Sequence, residues 1–166
     1  MKKLFLALMM LLPMAAMAQA KFGHVNAQEI IQVMPEYSTA MSEIEALQKQ
    51  YEADFKSMQD EFNKKLEDYQ KNGSTLPDNI KQRREQELQE MDGKIRQSVQ
   101  DNQQALQKAG AEKLQAISSK VLEAIKSVGI EGGYVYIMNN DGTIPYISTT
   151  LSTDVTAQVK AKLGLK

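Results

Sequence analysis

The chain has 166 residues, with 20 basic and 21 acidic side chains and a formal charge of −1 at pH 7. That near balance excludes an electrostatic case for nucleic acid, whose phosphates call for clustered Lys and Arg. With no cysteine and one histidine, the chain is also without disulfides, thiolate metal sites or a cysteine for lipid attachment.

Residues 1–20 read as a secretory signal peptide. Lys2 and Lys3 give a positive start, residues 4–12 an apolar run, and Ala16-Met17-Ala18 and Ala18-Gln19-Ala20 two small-x-small cleavage sites. The run is too short to span a bilayer, which needs about 20 residues. Cleavage after Ala18 or Ala20 leaves an exported, soluble chain expected in the periplasm. It removes Lys2 and Lys3 and no acid, so 18 basic groups face 21 acidic ones and the charge becomes −3.

Residues 21–25 form a short candidate strand. Asn26 with Glu29 makes a helix start, the Asn26 side chain accepting a free amide of the first turn. Pro35 then interrupts, because proline inside a helix costs about 3 kcal/mol or more. The expectation is a short helix, a kink or break, and a long helix over 36–71, about 54 Å at 1.5 Å per residue. Its apolar residues fall in alternating steps of three and four: Ile30, Met34, Tyr37, Met41, Ile44, Tyr51, Phe55, Met58, Phe62 and Tyr69. Gln48 and Lys65 interrupt the series beside Leu47 and Leu66. Such a stripe must meet another helix of its chain, another subunit or a guest.

Residues 72–78 read as a turn, with Gly73 as a left-handed helix cap. A second helix is expected over 78–127. Its stripe of Ile80, Leu88, Met91, Ile95, Val99, Leu106, Ala109, Leu114, Ile117, Val121, Ile125 and Val128 shifts phase near the Gln-rich stretch 97–107. Two helices joined by a short turn make an antiparallel hairpin. Gly93 and Gly110 lie within the second helix, where each costs about 1 kcal/mol relative to alanine and could loosen the arm. Residues 129–133 read as a linker to a strand; a phosphate-cradling loop would open a helix instead.

Residues 134–138 are a strand by composition, 139–142 a turn, and 144–148 a second strand that Pro145 confines to an edge. Ser152 or Thr153 opens a last helix carrying Val155, Val159 and Leu163, stopped by Gly164. The expected fold is α+β, mainly α. A long helical hairpin arm, residues 36–127 with its tip near 72–78, projects from a small β body made by residues 21–35 and 128–166. A body of about fifty residues is marginal alone, so an oligomer is expected. Phe22, Val25, Tyr134, Tyr136, Ile144 and Tyr146 are the candidate body and subunit contacts.

Catalytic chemistry finds no support. His24 sits in a strand without a nucleophile to serve, Asp141-Gly142 lacks the later ligands of a calcium loop, and the carboxylates lie on helix faces among lysines. Neither enzyme activity nor any cofactor or metal is expected.

The order of these elements resembles the Skp/OmpH family of periplasmic chaperones over essentially the whole chain after residue 20. The likeness rests on Gly23-His24-Val25-Asn26, on 30–35 (IIQVMP), on 76–96 (LPDNIKQRREQELQEMDGKIR), on Gly133-Tyr134-Val135-Tyr136 and on 154–159 (DVTAQV). The phrases IIQVMP and QRREQELQ look most like Bacteroidetes-type members. The resemblance implies a homotrimer whose strands build a central β body, with three helical arms around a cavity. It implies ATP-independent holding of unfolded outer-membrane β-barrel proteins there.

Within that reading, most of the stripe packs inside the hairpin, and Tyr51, Phe55, Met58, Phe62 and Tyr69 are the candidate client-binding residues. The tip carries Lys64, Lys65, Lys71, Lys81, Arg83 and Arg84 against Glu67, Asp68 and Asp78, a net +3 that offers a weak membrane-surface or lipid contact. The family's lipopolysaccharide contact does not carry over to this more acidic chain. The alternative is a structural coiled-coil scaffold of the cell envelope, which requires a continuous seam. A peripheral membrane helix is opposed by faces rich in Glu and Gln that lack Trp.

Overall fold

The computed structural model describes residues 20–165. The signal-peptide reading therefore lies outside the described residues, apart from Ala20. The fold is α+β and mainly helical, as expected. In chain order it has β1 (Lys21–Val25), α1 (Ala27–Val33), α2 (Pro35–Asn72), a 3-10 turn (Gly73–Thr75), α3 (Asp78–Gly132), β2 (Tyr134–Asn139), β3 (Ser152–Asp154) and α4 (Thr156–Lys162). The described chain divides into two compact units. One joins the residues up to Val33 with those from Ser119 onward; the other is Met34–Ser118.

The first unit holds the sheet, with strand order β2-β1-β3. Both pairings are parallel: Phe22 stands beside Tyr136 on one side and Ser152 on the other, and His24 beside Met138 and Asp154. One face of β1 points inward through Gly23 and Val25. Gly23 permits the close approach, because a Cβ there would lie 3.1 Å from Ile137 and 3.2 Å from Tyr134. Val25, Ile30, Val121, Val155 and Val159 form the fully buried core. Its valines and isoleucine are the stiff, β-branched residues that pack well on a pleated surface. The Asn26 side chain accepts the Glu29 N–H at 3.0 Å, the helix start read in the sequence.

The end of this unit departs from the sequence reading in three places. Residues 144–148 form no strand; the third strand is Ser152–Asp154, from which a helix start was expected. The last helix begins at Thr156 instead. Val155 occupies the cap and brings no oxygen, so Asp154 serves: its carboxylate accepts the Thr156 N–H at 2.9 Å and the Thr156 hydroxyl at 2.6 Å. Burial would raise the Asp154 carboxyl, but these Thr156 bonds together with His24 and Lys160 hold it below its ordinary value. Residues 129–133 are not a linker either, since α3 continues to Gly132. The turn falls on Gly133 alone, at φ +65°.

The second unit is an antiparallel helical pair. Pro35 starts α2 rather than kinking it, with Met34 extended at φ −72° and ψ 131°. This is where proline's missing N–H and fixed φ cost nothing. At the far end Gly73 is right-handed, φ −58° and ψ −32°, so the left-handed cap is corrected. Glycine there serves proximity: a Cβ would sit 3.2 Å from the Tyr69 ring. Gly93 has nothing within 4 Å of the place a Cβ would take. Gly93→Ala should therefore stabilise the hairpin by about 1 kcal/mol, seen as a higher urea midpoint of the helical circular dichroism. A lower midpoint would contradict this reading of an open glycine in mid-helix.

Candidate functional site

From residue 41 to 116 of the hairpin, Gly73 is the only buried residue. Two helices alone cannot enclose a side chain on all sides, so their apolar stripes meet only part-way. Tyr51, Phe55, Met58, Phe62 and Tyr69 are all half-buried along the seam. Tyr51 and Phe55 line an open groove of about 410 Å³ with Val99 and Leu106, rimmed by Gln48, Glu52, Asn102 and Gln103. Met58 lines a second, of about 280 Å³, with Met91 and Ile95 among Glu61, Lys65, Glu87, Glu90 and Lys94. Tyr69 turns its hydroxyl to the Glu85 carboxylate.

The phase shift read in the second helix is visible here. Ser98, Asn102, Ala105 and Leu106 are half-buried, whereas Val99 is 47% exposed. Asn102 Nδ2 bonds Ser98 Oγ at 3.4 Å, so polar groups occupy seam positions and an apolar one is left in the groove. Leu114 is likewise 41% exposed. The stripe's spacing was legible in sequence. That its slip would leave the groove near Val99 open was not, because a phase shift does not say which residues it turns outward.

Cross-helix polar contacts fasten the hairpin where apolar contact is thin. Glu43 pairs with Lys113, Lys65 with Glu87, and Tyr69 with Glu85. Of the basic tip residues, Lys65 is engaged by Glu87 and Glu61, Lys71 by Glu67 and Arg84 by Glu87. Lys64, Lys81 and Arg83 have no ion-pair partner among the described residues.

The Lys65 ammonium, and secondarily Arg84, hold the Glu87 carboxyl below its ordinary value of 4.5, and Glu87 raises Lys65 above 10.5. Glu87's contribution is present above its unfolded value and lost as pH falls through the depressed folded one. Lys65's is full below its unfolded value and lost as pH rises through the raised one. Glu87→Gln should thus lower the urea midpoint of the hairpin near neutral pH and lower it less at about pH 3. An equal effect at both pH values would contradict the pairing.

In the sheet-bearing unit, Phe22 and Tyr136 stack with ring centroids 4.9 Å apart. Val25 is core, Tyr134 and Ile144 are half-buried, and Tyr136 and Tyr146 are exposed. A band not singled out in the sequence, Leu122, Ile130 and Val135, joins them on the surface, at 67%, 73% and 65% exposure. With Ile125, Gly129 and Tyr136 these residues line an open hollow of about 440 Å³. His24 Nδ1 lies 2.9 Å from Ser152 Oγ. Among the described residues no group of acidic or histidine side chains is arranged to hold a metal ion. No described helix is long and apolar enough to cross a membrane.

A family model described as outer membrane protein (OmpH-like) matches residues 21–163. The chain belongs to the OmpH-like family. Curated relatives include the chaperone protein Skp of Yersinia enterocolitica, 27% identical over 96% of this chain and 100% of that one. Skp of Vibrio cholerae serotype O1 is 22% identical over 75% and 74%. A solved OmpH-like protein from Caulobacter crescentus CB15 superposes with a TM-score of 0.74 at 11% identity, over 88% of this chain and 85% of that one. The OmpH-like family is one of chaperones and not of enzymes.

Proposed function

We propose that this OmpH-like protein is an ATP-independent periplasmic holdase. It binds unfolded outer-membrane β-barrel proteins between helical arms and keeps them from aggregating. The observation that carries the reading is the hairpin seam, half-open from residue 41 to 116, with tyrosine, phenylalanine and methionine at its mouth. An unfolded barrel strand exposes alternate apolar side chains whose removal from water drives binding at roughly 25 cal/mol per Å². Flexible methionines and amphipathic tyrosines accept varied partners. Folding of the guest buries those same groups, so release needs no nucleotide. Tyr51, Phe55, Met58, Phe62 and Tyr69 are the proposed client contacts.

The protein is proposed to act as a homotrimer, and the exposed apolar band of the sheet-bearing unit supports self-association. Lys64, Lys81 and Arg83 at the arm tip supply a weak contact for anionic lipid surfaces. The envelope-scaffold alternative would need a closed apolar seam, and Ser98 and Asn102 within it count against that.

The test is dilution of a urea-unfolded outer-membrane β-barrel into buffer without nucleotide, followed by light scattering. The protein should suppress scattering, and Tyr51→Ser with Phe55→Ser should weaken the suppression without changing helicity. Full aggregation of the guest at excess protein would reject the proposal.

A further inference from the structure

Methionine supplies all the sulfur in this chain, which has no cysteine. Five of the ten methionines lie beyond residue 20: Met34, Met41, Met58, Met91 and Met138. Without a thiol to compete, these thioethers are the groups that take up a two-electron oxidant. Met34, which caps the start of α2, is only 3% exposed. Met41 and Met138 are 44% and 47% exposed and belong to different units.

Met58 and Met91 differ from these three. One stands on α2 and the other on α3, both are half-buried, and both line the same open groove of about 280 Å³. A water molecule takes up about 30 Å³ of liquid, so the groove has ample room for an oxidant of two heavy atoms. Ile95 completes its apolar wall, and Lys65 and Lys94 are the hydrogen-bond donors among its side chains. The other groove of the seam, lined by Tyr51 and Phe55, contains no sulfur.

We propose that Met58 and Met91 form a paired oxidation site through which hypochlorous acid reversibly closes this groove to apolar partners. Each thioether sulfur gives up two electrons, gains the oxygen and becomes a sulfoxide; chloride and a proton leave. The new oxygen is a polar acceptor on a side chain that was apolar. It draws on Lys65 and Lys94, and Lys65 is the residue that ties α2 to Glu87 on α3. Oxidation thus loosens that tie and turns both walls of the seam polar. A methionine sulfoxide reductase restores the thioether, the oxygen leaving as water while two thiols become a disulfide. The effect on guests rests on the holdase reading above; the effect on the hairpin's own stability does not.

The test treats the full mature chain with a small excess of hypochlorous acid and maps sulfoxides by peptide mass spectrometry. Met58 and Met91 should be oxidised before Met34. The urea midpoint of the helical circular dichroism should fall by about 0.5 M or more. The protein needed to halve the scattering of a diluted outer-membrane β-barrel should rise about fivefold or more. Both changes should reverse with methionine sulfoxide reductase and dithiothreitol. The double variant Met58→Leu with Met91→Leu keeps Met34, Met41 and Met138. Compared with its own untreated form, it should show neither change.

Intact thioethers at Met58 and Met91 after Met34 is oxidised would overturn the proposal. So would an unmoved midpoint in the oxidised protein, or an equal fall in the double variant. An untreated protein that never holds the guest would overturn the holdase reading and the effect on guests with it, while a reversible midpoint shift confined to the unsubstituted chain would still establish the oxidation site.

Discussion

Ile30→Ala should lower the melting temperature of the sheet-bearing unit by more than about 10 °C. Ile30 is 0% exposed and sits with Val25, Val121, Val155 and Val159, all at 2% or below. Truncating a buried isoleucine to alanine costs about 2–5 kcal/mol, the transfer of its methylenes plus the cavity left behind. The unit has only about sixty residues, a size at which each 1 kcal/mol moves the midpoint by about 4–8 °C. Association raises apparent stability with concentration, so wild type and variant must be compared at one protein concentration. Scanning calorimetry reads the shift directly, and Ile30→Val should cost only about 1 kcal/mol. An Ile30→Ala midpoint equal to wild type would mean that this core does not hold the unit together.

The second large effect is on assembly. The triple variant Leu122→Glu, Ile130→Glu and Val135→Glu should run as a monomer at concentrations where wild type is assembled. Its dissociation constant should rise at least about 100-fold, since burying even one unpaired charge at an interface costs several kcal/mol and each 1.4 kcal/mol is tenfold. The three side chains are 67%, 73% and 65% exposed in the single chain, so the variant should keep wild-type circular dichroism. Sedimentation velocity at matched concentrations decides the matter. An unchanged sedimentation coefficient would show that the apolar band is not the contact between copies.

Much of the fold is legible in the sequence because long helices repeat their evidence. The stripe from Ile30 to Tyr69 restates the same phase many times, and Pro35 marks where the long helix is set off from the short one before it. Short elements carry no such redundancy. Residues 144–148 have the apolar alternation of a strand, but a strand exists only by pairing, and topology sends this segment across the sheet instead. Ser152–Asp154 reads as a helix start because Ser, Thr and Asp are capping residues. Here Asp154 caps from one residue before Val155 and leaves the backbone free to pair with β1. Gly73 misleads for a related reason, since glycine signals either positive φ or close approach, and only the Tyr69 ring distinguishes them.

The candidate site follows the same division. Periodicity places Tyr51, Phe55 and Met58 on the hairpin seam. It does not reveal that the seam gapes, because that depends on how far two helices alone can cover each other's stripes. Leu122 and Ile130 share a helix with the buried Val121 and Val128. Sequence alone cannot say which of these neighbours the sheet covers.

The most direct test of the account is the native mass of the mature protein after a urea-unfolded outer-membrane β-barrel is diluted into it. The account predicts a homotrimer that gains one guest while the guest stays in solution without nucleotide. A monomer or dimer beside an aggregated guest would contradict it and return the envelope scaffold as the better reading.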